Sequence, residues 1–220
     1  FLFTANNANC DMIRNRHFEG VTADPKDSYI TITGGIIDGN KANQDGSSTK
    51  QGIVMRRVPY VRVTGVNIKN VDGLGLHLAG RYDGGDSATT TEGHFVDHIN
   101  TSGCRIRGIS LQNGFRDGTY SNLYSYGDCT GGNDVHAAIY IDHSEGLYSN
   151  VYVEQSESHG IWINNIRNVQ MGNIQVKGSA RHGINVLGFV HSQMVNVNVA
   201  RSSRGNAGLY SDLYLDYEDD

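Results

Sequence analysis

The sequence predicts an all-β fold: a parallel β-helix, or solenoid, in which successive coils of backbone stack on one another. Short runs that alternate apolar and polar residues recur along the chain, as at Ile161-Trp162-Ile163. A period of two is typical of strands with one buried face. The pattern returns after about 23 residues, since His159-Gly160 recurs as His182-Gly183. Because no helical periodicity separates the runs, equivalent positions of successive coils are expected to lie above one another.

The solenoid is predicted to span residues 29–220, with residues 1–28 leading into it. Its first coil begins at Tyr29-Ile30-Thr31-Ile32. Later coils open with a small residue and then an apolar one, at Gly52-Ile53, Gly75-Leu76, Ala138-Ile139, Gly160-Ile161 and Gly183-Ile184. We count roughly eight coils of about 23 residues, which at about 4.8 Å per coil form a rod about 35–40 Å long.

A long loop is predicted at residues 80–102, where the sequence is polar and shows no strand pattern. The coil is expected to resume at 105–111. A β-sandwich or up-and-down barrel is the alternative fold, but its hairpins would need tight turns, and Asn113-Gly114 is the only Asn-Gly pair. The strand Leu213-Tyr214-Leu215 should lie under a further coil, so we expect the chain to be a fragment of a longer protein.

Composition and charge argue against several classes of function. The 220 residues carry a net charge of −5 and no basic cluster, which argues against nucleic acid as a partner. No apolar run is long enough to span a membrane. The three cysteines, Cys10, Cys104 and Cys129, have no regular spacing, so we expect buried free thiols rather than a disulfide framework or a zinc site.

In each coil, the variable residue between the two apolar residues that open it is expected to point outward. Stacked coils would align these residues in one column. Its predicted members are Val54, His77, Tyr140, Trp162, Asn185 and Tyr210. Tyr140 and Trp162 would be neighbours about 4.8 Å apart. Exposed rings on a rigid surface suit the apolar faces of sugars. Ordinary cross-strand aromatic packing is the alternative explanation of this pair.

Polar residues that suit catalysis flank this column. Two residues further along the same strands, the predicted outward residues are Arg56, Ala79, Asp142, Asn164 and Leu187. After the second strand of each coil they are Asp38, Lys69, Gln112, Tyr126, Glu154, Lys177 and Ala200. The candidate catalytic residues are Asp142, Glu154, Glu157 and His159, and the candidate substrate-binding residues are Tyr140, Trp162, His77, Arg181 and His182.

Two chemistries suit these residues. Glycoside hydrolysis needs two carboxyl groups, one protonated and one ionised. Elimination from a uronic acid needs a base and a cation that neutralises the sugar carboxylate. Simpler explanations are an ion pair between Glu154 and Lys177, and a turn role for the histidine that precedes Gly160 and Gly183.

The stretch from Tyr29 to Gln44, followed by Gly52-Ile53, resembles the opening coils of the pectate-lyase superfamily of right-handed β-helices. Within it, the sequence resembles bacteriophage tailspike and polysaccharide depolymerase proteins, and residues 9–15 fit their usual lead-in. The resemblance implies an elongated homotrimer, on a virion tail or outside the cell, that contacts other tail proteins and binds bacterial surface polysaccharide. Many members also cleave the polymer. Ser158-His159-Gly160 and Arg181-His182-Gly183 match only part of the polygalacturonase motif set, so that activity is not expected.

We therefore expect a tailspike-like protein that binds and cleaves a bacterial polysaccharide, as a glycosidase or a polysaccharide lyase. A non-enzymatic glycan-binding adhesin or structural tail protein is the alternative, and a C5-epimerase of uronate polymers is a third. No metal-ligand pattern is recognised. We expect no cofactor, with Ca²⁺ needed only if the reaction is an elimination.

Overall fold

A computed structural model describes the chain except for residues 4, 6–7, 9, 16–26, 47–49, 81–90, 113–114, 132–135, 206–208 and 217–220. Its strands are β1 (Leu2–Phe3), β2 (Ile13–Arg14), β3 (Thr31–Thr33), β4 (Ile36–Asp38), β5 (Lys50–Arg56), β6 (Arg62–Lys69), β7 (Gly73–Ala79), β8 (Thr91–Glu92), β9 (Phe95–Ser102), β10 (Arg107–Gln112), β11 (Phe115–Tyr126), β12 (Ala137–Asp142), β13 (Ser144–Glu154), β14 (His159–Arg167), β15 (Val169–Lys177), β16 (Ile184–Val190), β17 (Gln193–Ala200) and β18 (Leu213–Asp216). A turn of 3₁₀ helix spans Lys41–Asn43.

The strands form two sheets, and the all-β, parallel prediction is confirmed. A ten-stranded sheet has the order β1-β4-β6-β9-β11-β13-β15-β17, with β3 beside β6 and β8 beside β11. An eight-stranded sheet has the order β2-β5-β7-β10-β12-β14-β16-β18. From β9 onward, consecutive strands alternate between the two sheets, and each pairs in parallel with the strand two places further on. This is the connectivity of a parallel β-helix.

The register of the eight-stranded sheet matches the predicted repeat. Trp162 lies opposite Tyr140 on one side and Asn185 on the other. The flanking Ile161 and Ile163 are buried in the core. Gly160 begins this stretch because a Cβ there would lie 2.5 Å from the carbonyl oxygen of Gly183 in the next coil, which leaves no space for a larger residue.

The prediction of a loop at residues 80–102 is wrong for its second half. Phe95–Ser102 is strand β9, paired with β6 and β11. Its inward residues Val96 and Ile99 are three apart rather than two, because His98 between them has a φ of 52° and bends the strand. The bend breaks the alternation that identifies a strand in sequence. Residues 81–90 of the predicted loop lie outside the described part of the chain.

The same bend recurs in the six long strands of the ten-stranded sheet, β6, β9, β11, β13, β15 and β17. Each has one left-handed residue at the equivalent position: Gly65, His98, Asn122, Asn150, Asn173 and Asn196. The asparagine amides are joined from coil to coil, at 3.0 Å from Asn150 to Asn122 and 3.0 Å from Asn173 to Asn150. Asparagine suits the position because its short polar side chain tolerates a positive φ. We call this series the asparagine ladder.

The cysteine prediction holds for two of the three residues. Cys104 and Cys129 are buried free thiols, whereas Cys10 is exposed. In the described part of the chain, no helix has the length and apolar character that a membrane crossing requires.

Candidate functional site

One column of side chains crosses the outer face of the eight-stranded sheet, with one residue from each strand. From β5 to β18 its members are Val54, His77, Ser110, Tyr140, Trp162, Asn185 and Tyr214. We call this the outer column. It lies opposite the core because the residues on either side of each member, such as Ile139 and Ile141, are buried inside the solenoid.

The outer column differs from the predicted one at two positions. Ser110 belongs to it because Arg107–Gln112 is a strand of the eight-stranded sheet. Gln112 therefore lies beside Ala79, and Ser102 takes its predicted place between Lys69 and Tyr126. Tyr214 replaces Tyr210, because it is Tyr214 that pairs with Asn185.

The outer column is also less exposed than predicted. Val54 is fully buried, and His77 and Asn185 each keep only 6% of their surface exposed. Tyr140 and Trp162 are half-buried. Tyr214 on β18 keeps 40% of its surface exposed. Cover is therefore present over much of this face, and Tyr140, Trp162 and Tyr214 are its accessible aromatic residues.

Tyr140 and Trp162 are neighbours, as predicted, but their rings are not stacked. Their centroids are 6.0 Å apart and the ring planes meet at 73°, an edge-to-face contact. The guanidinium of Arg107 lies 3.8 Å from the centroid of the Tyr140 ring. Cation–π contact and edge contact together hold Tyr140 in one orientation.

Asp142 ends strand β12, two residues beyond Tyr140, and keeps 9% of its surface exposed. Its Oδ1 accepts hydrogen bonds from Nδ1 of His143 at 2.6 Å and from Nδ2 of Asn164 at 2.8 Å. Burial raises the pKa of the Tyr140 hydroxyl, and the negative charge of Asp142 raises it further. Asp142 is thus an oriented carboxylate beside the aromatic pair.

The other two candidate carboxylates lie at the far end of the coil. Glu154 ends β13, the eleven-residue strand of the ten-stranded sheet that follows Asp142. It accepts a hydrogen bond from the Tyr152 hydroxyl at 3.1 Å and lies 3.4 Å from Lys177, the predicted ion pair. Glu157 lies 3.5 Å from Arg204. No described contact joins any two of these three carboxylates.

His159 and His182 lie beside Trp162 on the outer face. Their rings are stacked, with centroids 5.3 Å apart, and His159 meets the Trp162 ring edge-on at 5.1 Å. Burial, together with the neighbouring His182, lowers the pKa of His159 to about 4. Nδ1 of His182 accepts a hydrogen bond from the backbone N–H of Ser211 at 3.0 Å.

Tyr210 and Arg181 complete this corner. The Tyr210 ring lies nearly perpendicular to the His159 and His182 rings, at 6.2 and 5.1 Å. The Arg181 guanidinium lies 5.3 Å from the Tyr210 ring centroid. His159 therefore adjoins Trp162, His182 adjoins His159, and Arg181 adjoins Tyr210. Tyr210 packs across the imidazoles rather than along the outer column.

Sequence reasoning missed the polar residues at the other end of the outer column. Burial lowers the pKa of Arg107, and its Nη1 lies 3.4 Å from the Ser110 hydroxyl. Gln112 donates a hydrogen bond to the same hydroxyl at 2.6 Å. Nδ1 of His77 lies 2.6 Å from Oε1 of Gln51. The assignment of residues 107–112 to the wrong sheet hid Arg107, Ser110 and Gln112. A strand correctly predicted at 95–102 would have placed them next to β7.

Within the described residues, no group of three or more histidine, cysteine, aspartate or glutamate side chains could hold a metal ion. The chemistry that this face offers comes from one oriented carboxylate, a guanidinium, neutral imidazoles and two aromatic rings.

No family model matches this sequence, and no curated protein sequence matches it. A search of solved structures found a chain described as a glycoside hydrolase, with a TM-score of 0.41 and 11% sequence identity. The match covers 78% of this chain and 34% of that chain, so this protein spans about a third of the length of the glycoside hydrolase.

Proposed function

We propose that the outer face of the eight-stranded sheet binds a polysaccharide and that Asp142 takes part in cleaving it. The observation that carries the proposal is the Asp142 carboxylate, held by His143 and Asn164 beside the half-buried pair Tyr140 and Trp162. Aromatic rings bind the apolar faces of sugars, and an oriented carboxylate beside them can act as a base or nucleophile.

Elimination fits this face better than two-carboxylate hydrolysis. Of the three candidate carboxylates, Asp142 is the one with described contacts to the aromatic pair, whereas hydrolysis uses two carboxyl groups on either side of one bond. Arg107, in contact with Tyr140, is a cation that can neutralise a uronate carboxylate. Asp142 then takes the proton from C5, the C–H electron pair forms the C4–C5 double bond, and the C4–O bond breaks. The leaving oxygen takes a proton from water.

We further propose that the polymer is a bacterial surface polysaccharide, and that the protein acts as part of a tailspike-like homotrimer on a virion tail or outside the cell. The resemblance of residues 29–44 to phage depolymerases supports this extension. His159, which contacts Trp162, together with His182 beside it and Arg181 beside Tyr210, is proposed to line the binding surface.

The test is incubation of the protein with a panel of capsular and lipopolysaccharide glycans, with polymer size and the ultraviolet absorbance of unsaturated uronate as readouts. Asp142→Asn should lower the rate about 100-fold or more, because it removes the base without changing the shape. Asp117→Asn is the matched control, since Asp117 is exposed on β11 of the other sheet. It should keep the wild-type rate.

Binding without cleavage would favour the alternative, a glycan-binding adhesin, which is consistent with a single carboxylate on this face. Inversion of configuration at C5 of the uronate residues without chain cleavage would identify an epimerase. Failure to bind any polymer of the panel would contradict the proposed function altogether.

A further inference from the structure

An exposed pair of tyrosine rings lies at a corner of the solenoid, outside the outer column. Tyr29 precedes β3 and Tyr60 precedes β6, so both lie where a coil enters the ten-stranded sheet. Their ring centroids are 4.8 Å apart and the ring planes meet at 6°, so the rings are stacked face to face. Tyr29 keeps 74% of its surface exposed. We call this pair the tyrosine stack.

Both tyrosines adopt a backbone conformation that bulky residues avoid, with a φ of 57° at Tyr29 and 56° at Tyr60. Backbone hydrogen bonds between coils align Tyr29 with Tyr60, then with Gly93 and Asp117. The last two also have a positive φ, but glycine and aspartate tolerate it. Strained backbone of this kind is retained mainly where the side chain serves a function. Tyrosine at the first two positions therefore indicates that the rings themselves are used.

The ring of Tyr60 is held from two sides. A Cβ at Gly93 would lie 2.5 Å from Cδ1 of Tyr60, so the ring lies directly against the backbone of the next coil. The Tyr60 hydroxyl donates a hydrogen bond to Oε1 of Glu92 at 2.6 Å. Tyr29, from the preceding coil, covers the opposite face of the Tyr60 ring. The accessible aromatic surface of the stack is therefore the face of Tyr29 that is turned away from Tyr60.

The residues around the tyrosine stack suit a sugar better than a protein surface. Glu92 and Arg62 are both exposed and charged, and Arg62 pairs with Thr31, two residues after Tyr29. A pyranose has an apolar face of C–H groups and a rim of hydroxyls, which matches a flat ring flanked by a carboxylate and a guanidinium. A stable protein interface needs a larger continuous area of contact.

The tyrosine stack and Asp142 lie on the same side of the solenoid. Tyr60 follows Arg56, which ends β5, and Asp142 ends β12 of the same sheet. Strands β7 and β10 lie between β5 and β12. At about 4.8 Å per strand, Tyr60 is about 14 Å from Asp142 along the helix axis. A polymer of several sugar units can therefore contact both places at once.

We propose that the tyrosine stack is a second, non-catalytic glycan-binding site, which holds a pyranose ring of the polysaccharide against the exposed face of Tyr29. The inference rests on the proposed function for the identity of the ligand, but it needs neither Asp142 nor the outer column. Such a site raises the affinity for the polymer without taking part in its cleavage.

The experiment measures binding of the glycan panel to variants of the full chain. Tyr29→Asn removes the ring and places a residue that tolerates a positive φ, so the affinity should fall about tenfold while the melting temperature does not fall. Tyr29→Phe keeps the ring and should bind within about twofold of the wild type. Tyr126→Asn is the matched control, since Tyr126 on β11 is also exposed, and it should bind as the wild type does.

Cleavage kinetics separate this site from the catalytic one. With a polymer that the protein cleaves, Tyr29→Asn should raise KM about tenfold and leave kcat unchanged, because the ring binds the substrate and its transition state equally.

NMR of the wild-type protein with labelled tyrosine gives a test without substitutions at the site. The ring signals of Tyr29 should move when the polymer is added, because a sugar ring replaces water on that face. The signals of Tyr126 should stay in place.

Equal affinities of the wild type and Tyr29→Asn, or Tyr29 signals that do not move, would overturn this inference while leaving glycan binding at the outer face intact. A variant that loses both affinity and melting temperature would assign the ring a structural role, which also overturns it. Failure of the wild type to bind any polymer would instead overturn the proposed function, and this inference with it.

Discussion

Burial, rather than residue type, decides how the histidines of this protein behave. It lowers the pKa of His77 to about 3 and the pKa values of His94 and His159 to about 4. These three rings stay neutral at neutral pH, so they contribute aromatic surface and hydrogen-bond acceptors to the fold rather than positive charge. His159 thus fits a binding surface better than a role as a general acid.

The same shifts predict a loss of stability in acid. In the unfolded chain these rings take up protons near pH 6.5, but in the folded chain only at about pH 4 or below. Their contribution to stability is therefore full above about pH 6.5 and is lost as the pH falls toward 4. Each ring should lower the free energy of unfolding by up to about 1.4 kcal/mol per pH unit in that window.

Urea unfolding at a series of pH values checks this prediction, and His159→Asn should remove one such increment from the slope. If the variant and the wild type lose stability with the same slope between pH 6.5 and 4, then the folded state does not hold His159 neutral.

At the scale of the strand, the central feature is the bend in each long strand of the ten-stranded sheet. Asn150 has a φ of 54° in β13, donates its amide to Asn122 and accepts from Asn173. The bend separates the inward residues Tyr148 and Val151, which are both buried. One strand can therefore follow two faces of the solenoid without leaving the sheet.

Asn150→Ala should lower the free energy of unfolding by about 2 kcal/mol, because alanine is strained at a positive φ and the two amide hydrogen bonds are lost. Asn150→Gly is the matched control, since glycine adopts this φ without strain and loses only the contacts. Its cost should be about half as large. Chemical denaturation measures both values. Equal losses in the two variants would show that backbone conformation at the bend contributes nothing.

At the scale of the whole molecule, each strand is stabilised mainly by the strands directly above and below it. Strands in the middle of both stacks, such as β12 and β13, have a paired strand on each side. Among the described strands, β17 and β18 have a paired strand on one side only, and Val195 and Leu215 on them are exposed. In such an array, stability follows from nearest-neighbour contacts.

Hydrogen exchange should therefore be graded along the helix axis. Backbone amides of β12 and β14 should exchange at least about tenfold more slowly than those of β17 and β18. Exchange measured by mass spectrometry on the 220-residue chain resolves these strands as separate peptides. Uniform protection from β12 to β18 would contradict nearest-neighbour stabilisation and indicate a single cooperative unit.

The sequence by itself determined the fold class and much of the register. Residues about 23 apart stack because the apolar alternation and the small residue at each coil start repeat at that period. Tyr140, Trp162 and Asn185 could therefore be aligned from the sequence alone. The pattern needs no knowledge of distant contacts, because burial of one face is encoded in every coil.

Only the tertiary structure decided which polar residues share a face. The bend at His98 hid strand β9, which moved Arg107, Ser110 and Gln112 onto the wrong sheet in the prediction. The eleven-residue β13 separates Asp142 from Glu154, although both are outward residues of one coil. The hydrogen bond that fixes His77 depends on Gln51 from the preceding coil. Bends and side-chain directions set these relations. In β9 the bend lies at His98 rather than at the asparagine of the later coils, so no repeat marks it in the sequence.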